Sequence, residues 1–277
     1  MIRLPFGRRA RAAHARLDDS RWQRLLADYP FVHNLGAKRL PRLREQCDQF
    51  LDRKRFAAEG GLVLTDDIGA AIALQACVPI VELGLDWYDD FEQIIVYPDQ
   101  FIVPRREVDE AGVVHEEEAW LAGESIDGGP VVLSWADISP GVDTVNVVIH
   151  EFVHKIDLRD GEADGCPPLP AARRRRWQQA LDAAYQAFAD QLDTLERTMP
   201  RWLDPEDEQS DAWYARLPLD PYAAHDPAEF FAVSGEAFFL APEVLAAAYP
   251  EYFTHLVEFF GLDPRHGSSP PSLPASR

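Results

Sequence analysis

Two histidines and a glutamate have the spacing of a hydrolytic metal site: His150, Glu151 and His154. On an α-helix, residues four positions apart share a face, so both imidazoles would point the same way. Two neutral imidazoles can bind one Zn²⁺, and the glutamate between them can take a proton from water. The alternative is a buried helix whose histidines are satisfied by hydrogen bonds. The spacing favours one zinc ion per chain.

A third ligand is needed, because a catalytic zinc usually has three protein ligands and one water molecule. Glu229 is the better candidate, since it begins an aromatic segment 75 residues after His154. Its alternative role is helix capping, because Asp226, Pro227 and Glu229 also have the spacing of a capped helix N-terminus. The local residues leave both roles open.

Two further acids are candidates for supporting roles. Asp157 lies seven residues after His150, on the same helix face. Three ligands on one helical stripe give poor tetrahedral angles, so a hydrogen bond to a histidine ring is favoured over ligation. Glu236 lies seven residues after Glu229 and is either a ligand or, better, the hydrogen-bond partner of a ligating histidine.

The 277 residues are enough for one sizeable core, and the apolar fraction of 47% is ordinary for a globular protein. We predict a basic flexible arm at residues 1–19, a single domain at residues 20–263 and a disordered Pro/Ser-rich tail at residues 264–277. No apolar run is long enough to cross a membrane. Three scattered cysteines without a Cys-x-x-Cys pair are typical of a reducing cytoplasm.

The net charge of −20 is unevenly distributed. Residues 1–55 hold 14 Lys and Arg against 6 Asp and Glu, whereas residues 56–277 hold 13 against 41. A body this acidic repels nucleic acid, so we expect no nucleic-acid partner.

Hydrophobic patterning predicts an α+β fold that is mainly helical. Helices are expected near residues 22–29, 41–55, 68–78, 171–199 and from residue 227 to 260 with a break at Pro242. The β-rich segments 94–97 and 101–103 are predicted to form a hairpin or two adjacent strands. A strand at 131–135 is either an edge strand that could pair with a peptide or an ordinary core strand. This small sheet should pack beside the helix that carries the histidines.

Two segments together carry a resemblance to a known family. Residues 150–157 read HEFVHKID, and residues 220–233 read DPYAAHDPAEFFAV. Together with the segment VLSW at residues 132–135, they resemble the Mlc titration factor A family of bacterial zinc peptidases. The likeness spans most of residues 20–262, and the second segment is also similar to the catalytic domain of anthrax lethal factor.

The resemblance implies a zincin-like metallopeptidase fold and assigns roles to several residues. His150, His154 and Glu229 match the zinc ligands, and Glu151 matches the general base. Tyr222 matches a tyrosine that stabilises the oxyanion. Asp157 belongs to the pattern without a role that the pattern settles.

We therefore expect a zinc-dependent peptidase that acts on peptides or proteins. One form of this hypothesis is an aminopeptidase with a regulatory role. The alternative is a non-catalytic regulator that binds a transcription repressor, a partner that the resemblance also implies. A structural zinc module is disfavoured because such sites prefer cysteine.

Overall fold

The computed structural model describes residues 16–108, 114–121, 123–125, 128–140, 146–200, 202–203 and 208–265, with the backbone alone at 101–108 and 114–121. The expected arm (residues 1–19) and tail (residues 264–277) lie outside these ranges, except for residues 16–19 and 264–265. Both stay predictions, as does the single domain. None of the described helices is long and apolar enough to cross a membrane.

Helices dominate the described part of the chain. They are α1 (Asp19–Asp28), α2 (Leu40–Arg53), α3 (Asp66–Cys77), α4 (Trp135–Ile138), α5 (Val147–Asp157), α6 (Ala171–Thr198), α7 (Asp211–Tyr214), α8 (Pro227–Leu240), α9 (Pro242–Ala248) and α10 (Pro250–Phe260). The strands are β1 (Arg55–Ala58), β2 (Gln93–Tyr97), β3 (Phe101–Val108), β4 (Val114–Leu121), β5 (Gly123–Ser125) and β6 (Val131–Ser134). The α+β, mainly helical class is confirmed.

Four strands form a mixed sheet in the order β1-β2-β6-β5. The first three are parallel, with Phe56 opposite Ile94 and Ile94 opposite Val131. Strand β5 runs antiparallel to β6 and is the outer strand on that side. Strands β3 and β4 form a separate antiparallel pair, in which Phe101 lies opposite Leu121.

Strands form at both β-rich segments, but the expected hairpin between them is wrong, and one of the two alternatives for residues 131–135 is excluded. The segments at 94–97 and 101–103 do not pair with each other, because β2 pairs with β1 and β6, whereas β3 pairs with β4. The edge-strand alternative for residues 131–135 also fails, since β6 lies between β2 and β5 and is buried along its length. Near-continuous burial is typical of an inner strand covered on both faces, and the core-strand alternative is confirmed.

Helix α3 is apolar nearly all round, and every residue from Ile68 to Cys77 is buried. The Thr65 side chain caps it by accepting a hydrogen bond from the Ile68 amide at 3.2 Å. The central position expected for such a helix is therefore observed.

Helix α5 has one face in the aromatic core and one face towards α8. On the core side, the Phe152 ring lies 5.0 Å from Tyr88, 5.6 Å from Phe50 and 5.8 Å from Phe91. On the other side α8 approaches closely, because a Cβ at Gly235 would lie only 2.8 Å from Val153 Cγ2. The core therefore fixes the rotation of α5, and the glycine fixes its distance from α8.

Candidate metal centre

The two histidines of α5 converge as their spacing predicts. The helix begins after Asn146, whose side-chain oxygen accepts a hydrogen bond from the Ile149 amide at 2.9 Å. His150 and His154 lie one turn apart, with ring centroids separated by 4.7 Å. Their Nε2 atoms are 3.1 Å apart, and both side chains are only 12–13% exposed.

Glu229 is brought to these histidines by the N-terminus of α8. Asp226 caps that helix by accepting from the Glu229 amide at 2.9 Å, and Pro227 occupies the first turn. The Glu229 carboxylate points at the imidazoles, with Oε2 3.1 Å from His150 Nε2 and 3.2 Å from His154 Nε2. The capping and ligand roles are therefore compatible, because Asp226 caps the helix while the Glu229 side chain faces the histidines.

These three atoms have the spacing of a tetrahedral metal site. Zinc ligands at about 2.0–2.1 Å from the ion lie about 3.3 Å from one another. In the described part of the chain, His150, His154 and Glu229 form the one group of three or more His, Cys, Asp or Glu residues whose ligand atoms come this close together. The donor set, two imidazoles and one carboxylate, therefore fits a catalytic zinc.

The electrostatics tie the three groups together. Burial opposes a charge on His150, but hydrogen bonds with Glu229 and Glu236 outweigh it and raise the histidine pKa well above its usual value. Burial also opposes the charge on Glu229, and the two histidines reverse this and hold the carboxyl pKa well below its usual range. A cation at this point would replace the proton that the cluster favours.

Glu236 holds the far side of the His150 ring. Its Oε1 lies 2.8 Å from His150 Nδ1, and its Oε2 accepts from the Asn146 amide at 2.7 Å. The Asn146 side chain in turn donates to Gln75 Oε1 at 2.8 Å. With a proton on Nδ1, the Nε2 lone pair of His150 is left to face His154 and Glu229.

Sequence reasoning missed Asn146 and Gln75. Each had a signal: Asn146 is a good N-cap residue directly before an apolar helix, and Gln75 is a polar residue inside the otherwise apolar α3. What connects them is a contact between residues 71 positions apart, which no local pattern shows.

Glu151 lies between α5 and the outer strand β5. Its side chain is buried, and in the part of the chain that is described its Oε2 has no hydrogen-bond partner. Burial raises the pKa of this carboxyl, although the charges of His150 and His154 act in the opposite direction. Such an unpaired oxygen is suited to accept a proton or a hydrogen bond from a small polar ligand.

Tyr222 lies beside the cluster, with its ring centroid 6.2 Å from that of His150, in a short 3₁₀ turn from Pro221 to Ala224. Asp220 fixes this turn by accepting from the Tyr222 amide at 2.8 Å. The hydroxyl donates to Glu229 Oε1 at 3.4 Å, and the ring stacks on His225 with centroids 5.8 Å apart. The residue is 43% exposed, so part of it faces solvent.

Asp157 lies away from the histidine rings. Its Oδ2 accepts from the Gly165 amide at 2.8 Å, and Trp177 Nε1 donates to the Gly165 carbonyl at 2.8 Å. Desolvation is the main cause that raises the Asp157 pKa to about 8. The Asp157 carboxyl therefore accepts a hydrogen bond from the loop after α5. The expected hydrogen bond from Asp157 to a histidine ring is not among its contacts in the described part of the chain.

Comparisons with known proteins agree on one family. Residues 5–261 match the family described as glucose-regulated metallo-peptidase M90. The chain is 34% identical over 250 residues to Mlc titration factor A of Escherichia fergusonii, covering 89% of this chain and 88% of the relative. It is 36% identical over 250 residues to the protein of that name from Salmonella gallinarum, with the same coverage. For Klebsiella pneumoniae the identity is 35% over 246 residues, covering 88% of this chain and 86% of the relative.

The donor set on α5 and α8 lies within the matched residues, and the family description itself names a metal-dependent peptidase. The relatives and this chain are similar over nearly their whole lengths. The chain therefore belongs to the glucose-regulated metallo-peptidase M90 family.

Proposed function

We propose that this protein is a zinc-dependent peptidase that cleaves peptide bonds with Glu151 as general base. The observation that carries the proposal is the convergence of His150 Nε2, His154 Nε2 and Glu229 Oε2, with pairwise separations of 3.1–3.2 Å. These three residues would hold the ion. Zinc held there would supply Lewis-acid chemistry and would lower the pKa of a bound water molecule to about 7.

The chain's own residues account for the proton transfers. Glu151 follows His150 directly and has an unpaired carboxylate oxygen, so it can take the proton of the attacking water and pass it to the leaving amine. The Tyr222 hydroxyl, already 3.4 Å from Glu229 Oε1, can donate a hydrogen bond to the oxyanion. A single donor of this kind commonly stabilises the transition state by about 3 kcal/mol.

The test is Glu151→Gln, which keeps the size of the side chain and removes its basicity. We expect zinc content to stay at one ion per chain while peptide hydrolysis falls about 10²–10⁴-fold. Glu162→Gln is the matched control, because Glu162 is exposed on the loop after α5. Wild-type hydrolysis by the Glu151 variant would refute the general-base role.

Aminopeptidase action is the finer form of this proposal. An aminopeptidase holds the substrate's free α-amine, so it should cleave free peptides and spare N-terminally blocked ones. Cleavage of paired free and blocked peptides, followed by mass spectrometry, decides this. Equal cleavage of both would assign endopeptidase action.

A second candidate function is binding of a transcription repressor, and the relatives' name, Mlc titration factor A, supports it. A pull-down of an Mlc-like repressor with wild type and Glu151→Gln separates the two functions. Capture by both proteins would show a binding role that does not require catalysis. Absence of capture by either would exclude this partner.

We place this activity in the cytoplasm. Cys47, Cys77 and Cys166 are free and buried, which supports a reducing compartment. Fractionation of cells producing the tagged protein would test this, and recovery outside the cytoplasm would contradict it.

A further inference from the structure

Strand β5 touches Glu151 at a position where any residue but glycine would collide with it. A Cβ at Gly123 would lie 2.5 Å from Glu151 Oε1, 2.6 Å from Glu151 Cγ and 2.7 Å from Val147 Cγ1. Non-bonded carbon and oxygen atoms at such distances are strongly repelled, since carbon contacts are optimal at about 3.5–4.0 Å. The Glu151 side chain therefore occupies space that exists only because residue 123 has no side chain.

The same strand also holds the backbone of Glu151. Ser125 lies two residues after Gly123, and alternate residues of a strand share a face. Its hydroxyl donates to the Glu151 carbonyl at 2.7 Å. Strand β5 thus contacts the Glu151 side chain at Gly123 and its carbonyl through Ser125, whose hydroxyl also acts to lower the pKa of the Glu151 carboxyl. The distance of β5 from α5 at this residue is therefore set at two points.

The sheet gives this contact a firm support. Gly123 is paired with Leu133 and Ser125 with Val131, both in the buried strand β6. An inserted side chain at residue 123 would have to displace Glu151, Val147 or a strand that is hydrogen-bonded to the core of the sheet. The side chain of Glu151 can move most easily, because valine is β-branched and stiff at χ1.

We propose that Gly123 is a positioning residue for Glu151. Its missing side chain leaves a slot between β5 and α5 that holds the Glu151 carboxylate, and Ser125 sets the width of that slot. The catalytic consequence rests on the proposed general-base role, whereas the contact itself does not. A misplacement of about 1 Å at a reacting group commonly lowers the rate by about 100-fold.

The kinetic test is Gly123→Ala. We expect kcat to fall about 100-fold, KM to stay within about threefold and zinc content to stay at one ion per chain, because the three atoms nearest to the added methyl belong to Glu151 and Val147 and not to a candidate ligand. The matched control adds Val147→Ala, which removes the other close contact of residue 123. If this second change restored kcat, the glycine would serve helix packing and the proposal would be wrong.

A double-mutant cycle on thermal unfolding gives a readout that needs no substrate. Gly123→Ala should lower the melting temperature by several degrees in the wild type and by less than half as much in a Glu151→Ala background, where the two colliding atoms of Glu151 are gone and only Val147 Cγ1 remains close. Equal shifts in the two backgrounds would overturn the proposal whatever the kinetics. A smaller melting-temperature shift in the Glu151→Ala background, together with a wild type that cleaves no peptide, would support the Gly123 contact and reject the peptidase function.

A crystal structure of Gly123→Ala completes the test. The Glu151 carboxylate should move by 1 Å or more while His150, His154 and Glu229 stay in place. If strand β5 moved instead and Glu151 did not, the proposal would be refuted. If Gly123→Ala has no cooperative melting transition, a transition regained on adding Glu151→Ala would support the proposal. A transition still absent in the double variant would refute the proposal.

Discussion

Each ring nitrogen of His150 has its own carboxylate. Nδ1 lies 2.8 Å from Glu236 Oε1, and Nε2 lies 3.1 Å from Glu229 Oε2. A carboxylate on the far nitrogen orients a metal-binding imidazole, fixes its tautomer and raises its basicity. Glu236 would therefore act on the proposed metal site through His150, because its carboxylate contacts the ring nitrogen that faces away from Glu229.

Glu236→Ala should weaken zinc binding about 10- to 100-fold, because it releases the ring and leaves the Asn146 amide without its acceptor. Competition with a chelating dye measures the affinity. Glu243→Ala is the control, since Glu243 is an exposed acid shortly after α8. Unchanged affinity for the Glu236 variant would contradict this account of the ring.

A sequence reveals those residues of the site whose contacts are local. His150, Glu151 and His154 are found because helical spacing alone puts both histidines on one face. Glu229 is ambiguous locally, since the same residues cap a helix. Gln75 stands out as a polar residue in an apolar helix, but its role is hidden, because its partner Asn146 is 71 positions away and no periodicity connects them.

At the scale of elements, two contacts fix where α8 lies relative to α5. One is the close approach of Gly235 to Val153. The other runs through Gly165, whose amide and carbonyl are hydrogen-bonded to Asp157 and Trp177. Because Gly165 has no side chain, there is room beside it for the Pro227 carbonyl at the start of α8. A Cβ at Gly165 would lie 2.4 Å from that carbonyl oxygen. Glu229, two residues later, inherits its position from both contacts.

Gly235→Ala tests the first contact. Alanine is the better helix former by roughly 1 kcal/mol, but overpacking against Val153 typically costs about 1–3 kcal/mol. We expect a net loss of unfolding free energy in urea together with weaker zinc binding, because Glu229 moves with α8. Adding Val153→Ala to Gly235→Ala should recover part of the stability and part of the zinc affinity. If Gly235→Ala alone were as stable as wild type and bound zinc as tightly, the two helices would not be closely packed at this contact.

Asp157→Asn tests the buried carboxyl at the end of α5. Burial and the nearby Asp164 and Asp160 raise its pKa, and the Gly165 amide opposes them, giving a value of about 8 in the folded chain against an ordinary 3.8. The folded state thus keeps a proton that the unfolded state releases. The contribution of this group to stability is complete below about pH 4 and is lost as pH rises to about 8.

The loss of melting temperature between pH 5 and pH 9 should therefore be smaller in Asp157→Asn than in wild type. Thermal melts at the two pH values measure it. Asp182→Asn, an exposed change on α6, should behave as wild type. An unchanged pH dependence in Asp157→Asn would place the titrating group elsewhere.

Strands were harder to predict than helices because their partners are remote. Helices α2, α3 and α6 begin and end within about two residues of their expected limits, since their signals are local. Ile94 pairs with Val131, 37 positions away, and the residues of neither segment indicate which strand is the partner. The same cause hid β5, whose three residues carry no strand signal yet cover the outer side of β6.

At the scale of the whole molecule, the candidate site joins distant parts of the chain. Gln75 on α3, Asn146 and the histidines at α5, and Glu229 and Glu236 on α8 form one connected set of contacts. An ion bound by α5 and α8 would bind the folded state and not the unfolded chain. Metal binding and global stability are therefore linked.

Removal of zinc by a chelator should lower the melting temperature of the whole protein. At a free zinc concentration of 1,000 times Kd the stabilisation is about 4.1 kcal/mol, which calorimetry detects easily. His154→Ala, which removes one ligand, should start from a lower melting temperature and respond little to the chelator. A wild type that is indifferent to chelation would contradict the metal assignment.

The order of the ligands along the chain has a consequence during synthesis. Glu229 follows His154 by 75 residues, which at about 5–20 residues per second is a delay of roughly 4 to 15 s. Until α8 emerges and docks, the nascent chain offers two histidines alone, and a Glu229→Ala variant should show the same weak zinc binding. We therefore expect the nascent chain to have no hydrolytic activity until α8 has docked, so that its own unfolded segments would not be cleaved during this interval.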